Sequence, residues 1–464
     1  MNKNSILVAI AMLLTVRSDG QQVLTEQSVK SSVEFVYNDL VPNPRPPYKL
    51  FFNDTNLNAL ISIGLVNNAD LLMAYNRVEI ARAEQKIAKS GLLPAINGFG
   101  SVGGSKAGNN TVDGVGNKGT SIPYPWTPDY NVGLSFNWEL DIWGKLSNRK
   151  KSAMAKTLYT AEGKNYVLTG LIAEIATRYY SLLSLDEQLA VVERNIELQK
   201  KALDVVRLQK EGGRATELAV KQFEAQTART ESMKYQIEQD IVTLENEINF
   251  LLARTPTTIA RDKGATSKMV KLRNDSVPSD LLLERPDVRQ AGYALQASGY
   301  DAKAAFRAMM PSLTIDAKGG FNAYNTTTLF DPVSLAYSVF GSLLAPVFNR
   351  NVLKTQYKIA MMQNKEAAYQ YRKTIMGAYF EVSTTMKSLQ LMSKKIEKNT
   401  AETEALEAAV GIANDLYLAG YANYLEVITA QKNALESELN LMQTKQKYTI
   451  TTVSLYKALG GGSD

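Results

Sequence analysis

The chain has 464 residues, 45% hydrophobic and 21% charged, with a formal net charge of +6. This composition fits neither a disordered chain nor a string of membrane helices, and the length allows two or three ordinary domains or one extended one. No cysteine and no histidine is present, which excludes thiol nucleophiles, disulfides, zinc-finger ligands and histidine-based triads. The basic residues are spread along helical segments as solvated faces, so no nucleic-acid partner is expected. No P-loop, dinucleotide fingerprint, metal-ligand spacing or clustered acid–base pair occurs, and no catalytic residue, cofactor or metal is expected.

In chain order, Lys3 precedes an apolar run from Ile6 to Val16. The run is too short to span a bilayer but suits a signal peptide, with small residues Ser18 and Gly20 before a cut at Gln21. Residues 1–20 are read as that signal and 21–56 as an N-terminal periplasmic segment. No later stretch is apolar for the length of a spanning helix.

From there the sequence is duplicated. The stretch beginning "ADLLMAYNRVEI" lies over "PDVRQAGYALQA" at an offset of 217 (287 − 70), pairing Asp70 with Asp287 and Pro94 with Pro311. Further on the offset is 207 (381 − 174), pairing Glu174 with Glu381 and Val220 with Val427. The first repeat is expected over 57–252, a linker over 253–279, the second repeat over 280–459 and a tail over 460–464. Each repeat opens with a helix, 57–90 in one and 280–309 in the other. Ser279 or Asp280 can cap the second, and Pro286 marks a start or a kink.

Two strands follow in each repeat, at about 94–104 and 130–140, then 311–321 and 334–344. In "YNVGLSFNW" Tyr130, Val132, Leu134, Phe136 and Trp138 alternate with small polar residues. Leu335, Tyr337 and Val339 form a similar row. The strand after Pro94 gives the weakest signal because it is rich in glycine. Strands of this length, with one aromatic face and one wet face, suit a membrane barrel in which those eight residues meet lipid. Four strands cannot close a barrel, and an open edge cannot sit in lipid, so several chains must build it together.

Next in each repeat comes a very long helix, 145–211 and 350–418. Leu168, Leu171, Ile175, Arg178, Leu182, Leu185, Leu189, Val192, Ile196, Gln199, Leu203 and Val206 step by three and four, which is a coiled-coil seam. Adding 207 reproduces a mostly apolar seam from Ile375 to Ala413. A helix of this length runs about 100 Å at 1.5 Å per residue. It breaks at Gly212-Gly213 in "LQKEGGRATELAV" and at Gly420 in "LYLAGYANYLEVI", 207 residues apart (420 − 213). Glycine suits such turns because left-handed backbone costs it nothing. Returning helices run over 215–252 and 424–459.

The whole pattern resembles the TolC-type outer-membrane factors, in the NodT-like branch. The resemblance rests on "LNALISIGLVNNADLLMA", "WELDIWGK", "VPSDLLLERPDVRQA" and "APVFNR", in that order, and covers about 57–459. It implies a mainly α fold with a small transmembrane β part. The expected assembly is a homotrimer, with a twelve-strand barrel in outer-membrane lipid and a twelve-helix tunnel extending through the periplasm. The implied function is a passive duct for efflux or type I secretion, opened by a periplasmic adaptor. The adaptor would join it to an inner-membrane pump of the resistance-nodulation-division, ABC or MFS type. The tips, Gly212, Gly213, Arg214, Ala215 and Thr216 (212–216) with Gly420, Tyr421, Ala422 and Asn423 (419–423), are the adaptor-docking candidates. Glu426 and Tyr417 match the family's gate positions.

Two departures stand out. Ala219 occupies the first-repeat position of Glu426, and the lipidated cysteine carried by many relatives has no counterpart. The alternative to a duct is a structural coiled-coil protein of the cell envelope, which explains the seams but not the aromatic-faced strands.

Overall fold

The structure, a computed structural model, describes residues 47–116, 123, 126–262 and 283–462. The expected signal peptide, the 21–46 part of the N-terminal segment, the 263–279 part of the linker and the Ser279/Asp280 cap lie outside these residues. The described chain forms two compact units.

One unit contains Ile80–Leu158 and Gly292–Tyr371. Its four strands are β1 (Ala95–Ser105), β2 (Thr127–Leu140), β3 (Ser312–Ala323) and β4 (Leu335–Leu344), hydrogen-bonded in the order β1-β2-β3-β4. All three pairings are antiparallel. The glycine-rich β1 has little strand propensity of its own, but it pairs with β2 along its entire length. Tertiary pairing overrides local preference here. Between β2 and β3, Gly133 stands opposite Gly320. A Cβ on either would run into backbone of the facing strand, the Gly319 carbonyl in one case and the Val132 carbonyl in the other.

Besides two short helical turns at Tyr48–Phe51 and Val112–Gly116, the helices are α1 (Thr55–Asn67), α2 (Ala69–Ser90), α3 (Lys145–Glu211), α4 (Glu217–Leu251), α5 (Pro286–Arg307), α6 (Val352–Leu418) and α7 (Tyr424–Ala458). The order helix, two strands, long helix, returning helix thus occurs twice, with α1 and α2 together opening the first set. α6 begins at Val352 rather than 350 because Arg350 and Asn351 adopt left-handed φ of 42° and 61°. Pro286 is the first residue of α5, where its missing N–H would have had no partner anyway.

The expected continuous helix over 57–90 is broken. α1 and α2 meet at a 45° bend, and Asn68 is the cause. Its side-chain oxygen accepts from Leu71 N–H at 3.0 Å, capping α2, while its amide donates to Leu251 O at 2.9 Å. The side chain therefore closes the end of α4 as it starts α2. Arg285, at the offset of 217 (285 − 68), has the same task in the second set, donating to Ala458 O at 2.7 Å. It also holds Asp287 and Glu381.

Among the described residues no single helix is long and apolar enough to cross a membrane; the bent pair α1 and α2 passes that test only jointly. Part of its apolar surface is packed in the core, while Val66, Ile80 and Ile87 are exposed. Leu57, Ile61 and Leu71 pack with Ile172, Ile175, Tyr179, Leu182 and Ile248 in the core of the second unit. Each such side chain contributes about 1.5–3 kcal/mol by leaving water. That exceeds the roughly 1 kcal/mol cost of a glycine within a helix, such as Gly170 in α3. Below this core Arg261 is enclosed against Asp186 and Glu245, its side chain 7% exposed. These carboxylates hold its guanidinium above its ordinary pKa, against the opposing effect of burial.

Candidate functional sites at the helix tips and on the sheet

The two tips are built alike. At the first, Gly213 N–H donates to Lys210 O and Arg214 N–H to Gln209 O, at 2.9 and 2.8 Å. At the second, Gly420 N–H donates to Tyr417 O and Tyr421 N–H to Leu416 O, at 3.1 and 2.9 Å. Both are Schellman closures, which need a left-handed residue at the turn. Gly213 (φ 73°) and Gly420 (φ 82°) supply it. The chain re-enters helix at once because Thr216 caps α4 and Asn423 caps α7, each accepting backbone N–H groups of the first turn. Ala215 and Ala422 complete the turns, donating to Gln209 O and Leu416 O. Gly212 follows the last helical residue and donates to Leu208 O at 3.0 Å.

Around these turns exposed apolar side chains stand beside charged ones, the first tip also exposing Lys210, Arg214 and Glu217. Leu208, Leu218, Leu416, Leu418, Tyr421 and Leu425 are all exposed, Tyr421 by 85%. The leucines were not among the residues singled out from the sequence. A helical pattern with leucines on two faces is their only local sign.

Glu426 lies exposed in the first turn of α7, its N–H capped by Asn423 Oδ1 at 3.2 Å. Ala219, its first-repeat counterpart, is fully buried beside Val206, Val220, Phe223 and Val427. A carboxylate there would have to leave water, so alanine at 219 follows from the packing. Tyr417 is half-buried against the same cluster, and its hydroxyl donates to Gln209 Oε1, tying α6 to α3. Burial pushes the Tyr417 hydroxyl above its ordinary pKa, so it stays protonated and able to donate. Gln209, 208 residues away in sequence, could not be paired with Tyr417 from the sequence.

On the sheet, directly paired residues point to one side. Val132, Leu134, Phe136 and Trp138 pair with Phe321, Gly319, Ala317 and Ile315. Phe321, Gly319 and Ala317 pair in turn with Leu335, Tyr337 and Val339. Tyr130 joins this face opposite Val102. The eight residues read from the sequence thus share one apolar face across three strands, and β1 extends it with Ile96. Leu134, Leu335, Tyr337 and Val339 are more than half exposed. Trp138 anchors the row, its indole N–H donating to Leu92 O at 3.0 Å.

The opposite face is polar along β2 and β3, while Phe340 on β4 stands opposite Asp316. Asn131 faces Asn322, Ser135 faces Lys318, and Asn137 faces Asp316. Their side chains bond to one another, Asn137 donating to Asp316 and Asn322 donating to Asp129. Past β2, Asp141 caps α3 by accepting from Leu146 and Ser147 N–H at 2.8 and 2.7 Å. Partial burial would raise its pKa, but these hydrogen bonds and the nearby Lys145 charge hold it below the ordinary carboxylate value. Among the described residues no group of acidic side chains is arranged to hold a metal ion.

This fold, with its apolar sheet face and paired helix tips, defines a membrane-duct architecture. Residues 60–254 and 277–461 match the outer membrane efflux protein family, and the chain belongs to that family. It is an outer-membrane channel component of an efflux system. It is 26% identical over 417 residues to the probable outer membrane lipoprotein SilC of Salmonella typhimurium, covering 89% of this chain and 88% of that one. It is 27% identical over 420 residues to the cation efflux system protein CusC of Escherichia coli K12, again covering 89% and 88%. A solved CusC structure superposes with a TM-score of 0.82 at 25% identity, covering 92% of this chain and 99% of that one.

Proposed function

We propose that the chain works as a homotrimeric passive duct in a tripartite efflux pump. Three four-stranded sheets would close one twelve-strand barrel, and the long helices would form a twelve-helix tunnel in the periplasm. The observation that carries this reading is the sheet itself. It presents an exposed apolar face and a hydrogen-bonded polar face, yet β1 and β4 are left as open edges. Lipid accepts the apolar face but not the edges. Further copies of the chain satisfy both demands. Tyr130, Val132, Leu134, Phe136, Trp138, Leu335, Tyr337 and Val339 then meet lipid, while Asp129, Asp316 and Lys318 meet the aqueous lumen. The structural coiled-coil alternative gives this exposed face no role.

The tips supply the partner surface in this reading. Residues 212–216 and 419–423, with the exposed leucines beside them, form two docking turns per chain, the first also carrying Arg214 and the Lys210–Glu217 pair, for a periplasmic adaptor that bridges to an inner-membrane pump, the resistance-nodulation-division type first. Tyr417 and Gln209 hold the closed state. Glu426 contributes a carboxylate to the entrance, three per trimer.

Gly213→Val and Gly420→Val test the docking role. Nothing lies within 4 Å of a Cβ at either position, so the change strains only the turn, by about 1–2 kcal/mol. Trimer formation and membrane insertion should persist, while co-purification with the cognate adaptor and export by intact cells are lost. Normal export by these variants would exclude the tips as the docking surface. Unchanged export in cells deleted for the chain would exclude the duct.

A further inference from the structure

The two repeats use one strand register. Adding 217 to Ala95 and 207 to Asn137, a pair between β1 and β2, gives Ser312 and Leu344, a pair between β3 and β4. The ten-residue difference between the two offsets lies in the loops, since β1 to β2 spans 22 residues (127 − 105) and β3 to β4 spans 12 (335 − 323). The joint within a repeat therefore occurs twice in the sheet. The joint between repeats occurs once, where β2 meets β3. Its repeat equivalent would join β4 to β1, and these are the two open edges.

The β2–β3 register transfers to those edges residue by residue. Asn131 moved forward by 207 is Ser338, and its partner Asn322 moved back by 217 is Ser105. Ser135 and Lys318 become Ser342 and Ser101. On the apolar face, Leu134 with Gly319 becomes Gly341 with Val102, and Phe136 with Ala317 becomes Leu343 with Gly100. Gly133 with Gly320 becomes Phe340 with Gly103.

The edge side chains select the same register without reference to the offsets. Val102, Phe340 and Leu343 are 79%, 63% and 71% exposed, and each is set against a glycine. A Cβ at Gly100, Gly103 or Gly341 would meet nothing within 4 Å in one chain, so no contact inside the chain asks for glycine there. An aromatic ring over a glycine on the facing strand pins an edge, which gives Phe340 a partner on its face. The serine pairs can hydrogen-bond across the joint. A slip of one residue turns the apolar row to the wrong face. A slip of two sets Gly341 against Gly100 or Gly104, and Phe340 against Ser101 or Ser105.

We propose that β4 pairs antiparallel with β1 of the next copy, in the register that sets Ser338 against Ser105 and Ser342 against Ser101. This rests on the reading that several copies close one barrel, and it fixes how they meet.

The chain has no cysteine, so introduced pairs report cleanly. Ser105 and Ser338 lie on opposite edges of one sheet, three strand spacings or about 14 Å apart, too far for a disulfide within one chain. Outer membranes holding the full chain with Ser105→Cys and Ser338→Cys, or with Ser101→Cys and Ser342→Cys, are oxidised with copper phenanthroline. The expected result is a non-reducing gel ladder ending at three linked chains, lost on reduction. Asn131→Cys with Asn322→Cys, the in-chain counterpart, calibrates the oxidation and should give no ladder. Pairs shifted by two residues, Ser105→Cys with Ala336→Cys and Ser101→Cys with Leu344→Cys, should stay as single chains. A ladder from a shifted pair in place of the predicted ones overturns the register and leaves the duct reading standing. So does a density map of the assembled particle that sets any residue but Ser105 opposite Ser338. A parent protein found only as single chains by native mass spectrometry overturns both.

Discussion

Tyr417→Phe removes one hydrogen bond from the tip region and little else. The ring keeps its packing beside Val220 and Phe223, while Gln209 on α3 loses its partner on α6. A neutral hydrogen bond of this kind contributes about 1 kcal/mol net. If the three chains of the proposed trimer open together, three such bonds amount to about 3 kcal/mol. That corresponds to a roughly 150-fold shift from closed toward open, since about 1.4 kcal/mol is tenfold. If each chain opens alone, the shift is about fivefold per chain. Single-channel recording in planar bilayers distinguishes the two, as long openings in the first case and frequent partial conductance in the second. Gln209→Leu should behave the same way, and the double variant should add nothing, because both substitutions remove one bond. Traces indistinguishable from the parent in both single variants would refute the role of this pair in closure.

Two further outcomes follow from the same geometry. Glu426→Gln should lower cation selectivity and weaken block by divalent cations in bilayer recordings, because rings of carboxylates concentrate cations at a pore mouth; an unaltered recording would remove Glu426 from the entrance. Ala253, which ends α4 with φ 51°, stands 207 residues before Gly460, which ends α7 with φ 73°. Ala253→Gly should therefore raise stability by about 1 kcal/mol, read as a higher thermal midpoint, and a lower midpoint would show that the left-handed turn is not the strained element.

Local signals made much of this architecture readable. The seam from Leu168 to Val206 repeats by three and four and stops at Gly212-Gly213, and both features are legible in the sequence of α3; the Thr216 cap that restarts the chain is seen only in the structure. Most of the seam is indeed buried, including Leu171, Ile175, Leu182, Val192 and Val206. The alternation in β2 and β4 identified one face of the sheet, and the strand register brings those rows together. The break at Asn68 escaped because the pattern around "VNNAD" stays helical on both sides. Its cause, the Leu251 carbonyl, is 183 residues away. The same distance problem hides Tyr417 with Gln209 and Arg261 with Asp186.

The central claim, that several copies of this four-stranded sheet close one barrel, is tested most directly by native mass spectrometry of the protein extracted from outer membranes. A particle of three chains is predicted, persisting until detergent or heat opens the barrel. A monomer with the sheet intact would contradict the account, because its β1 and β4 edges would then stand unpaired in lipid.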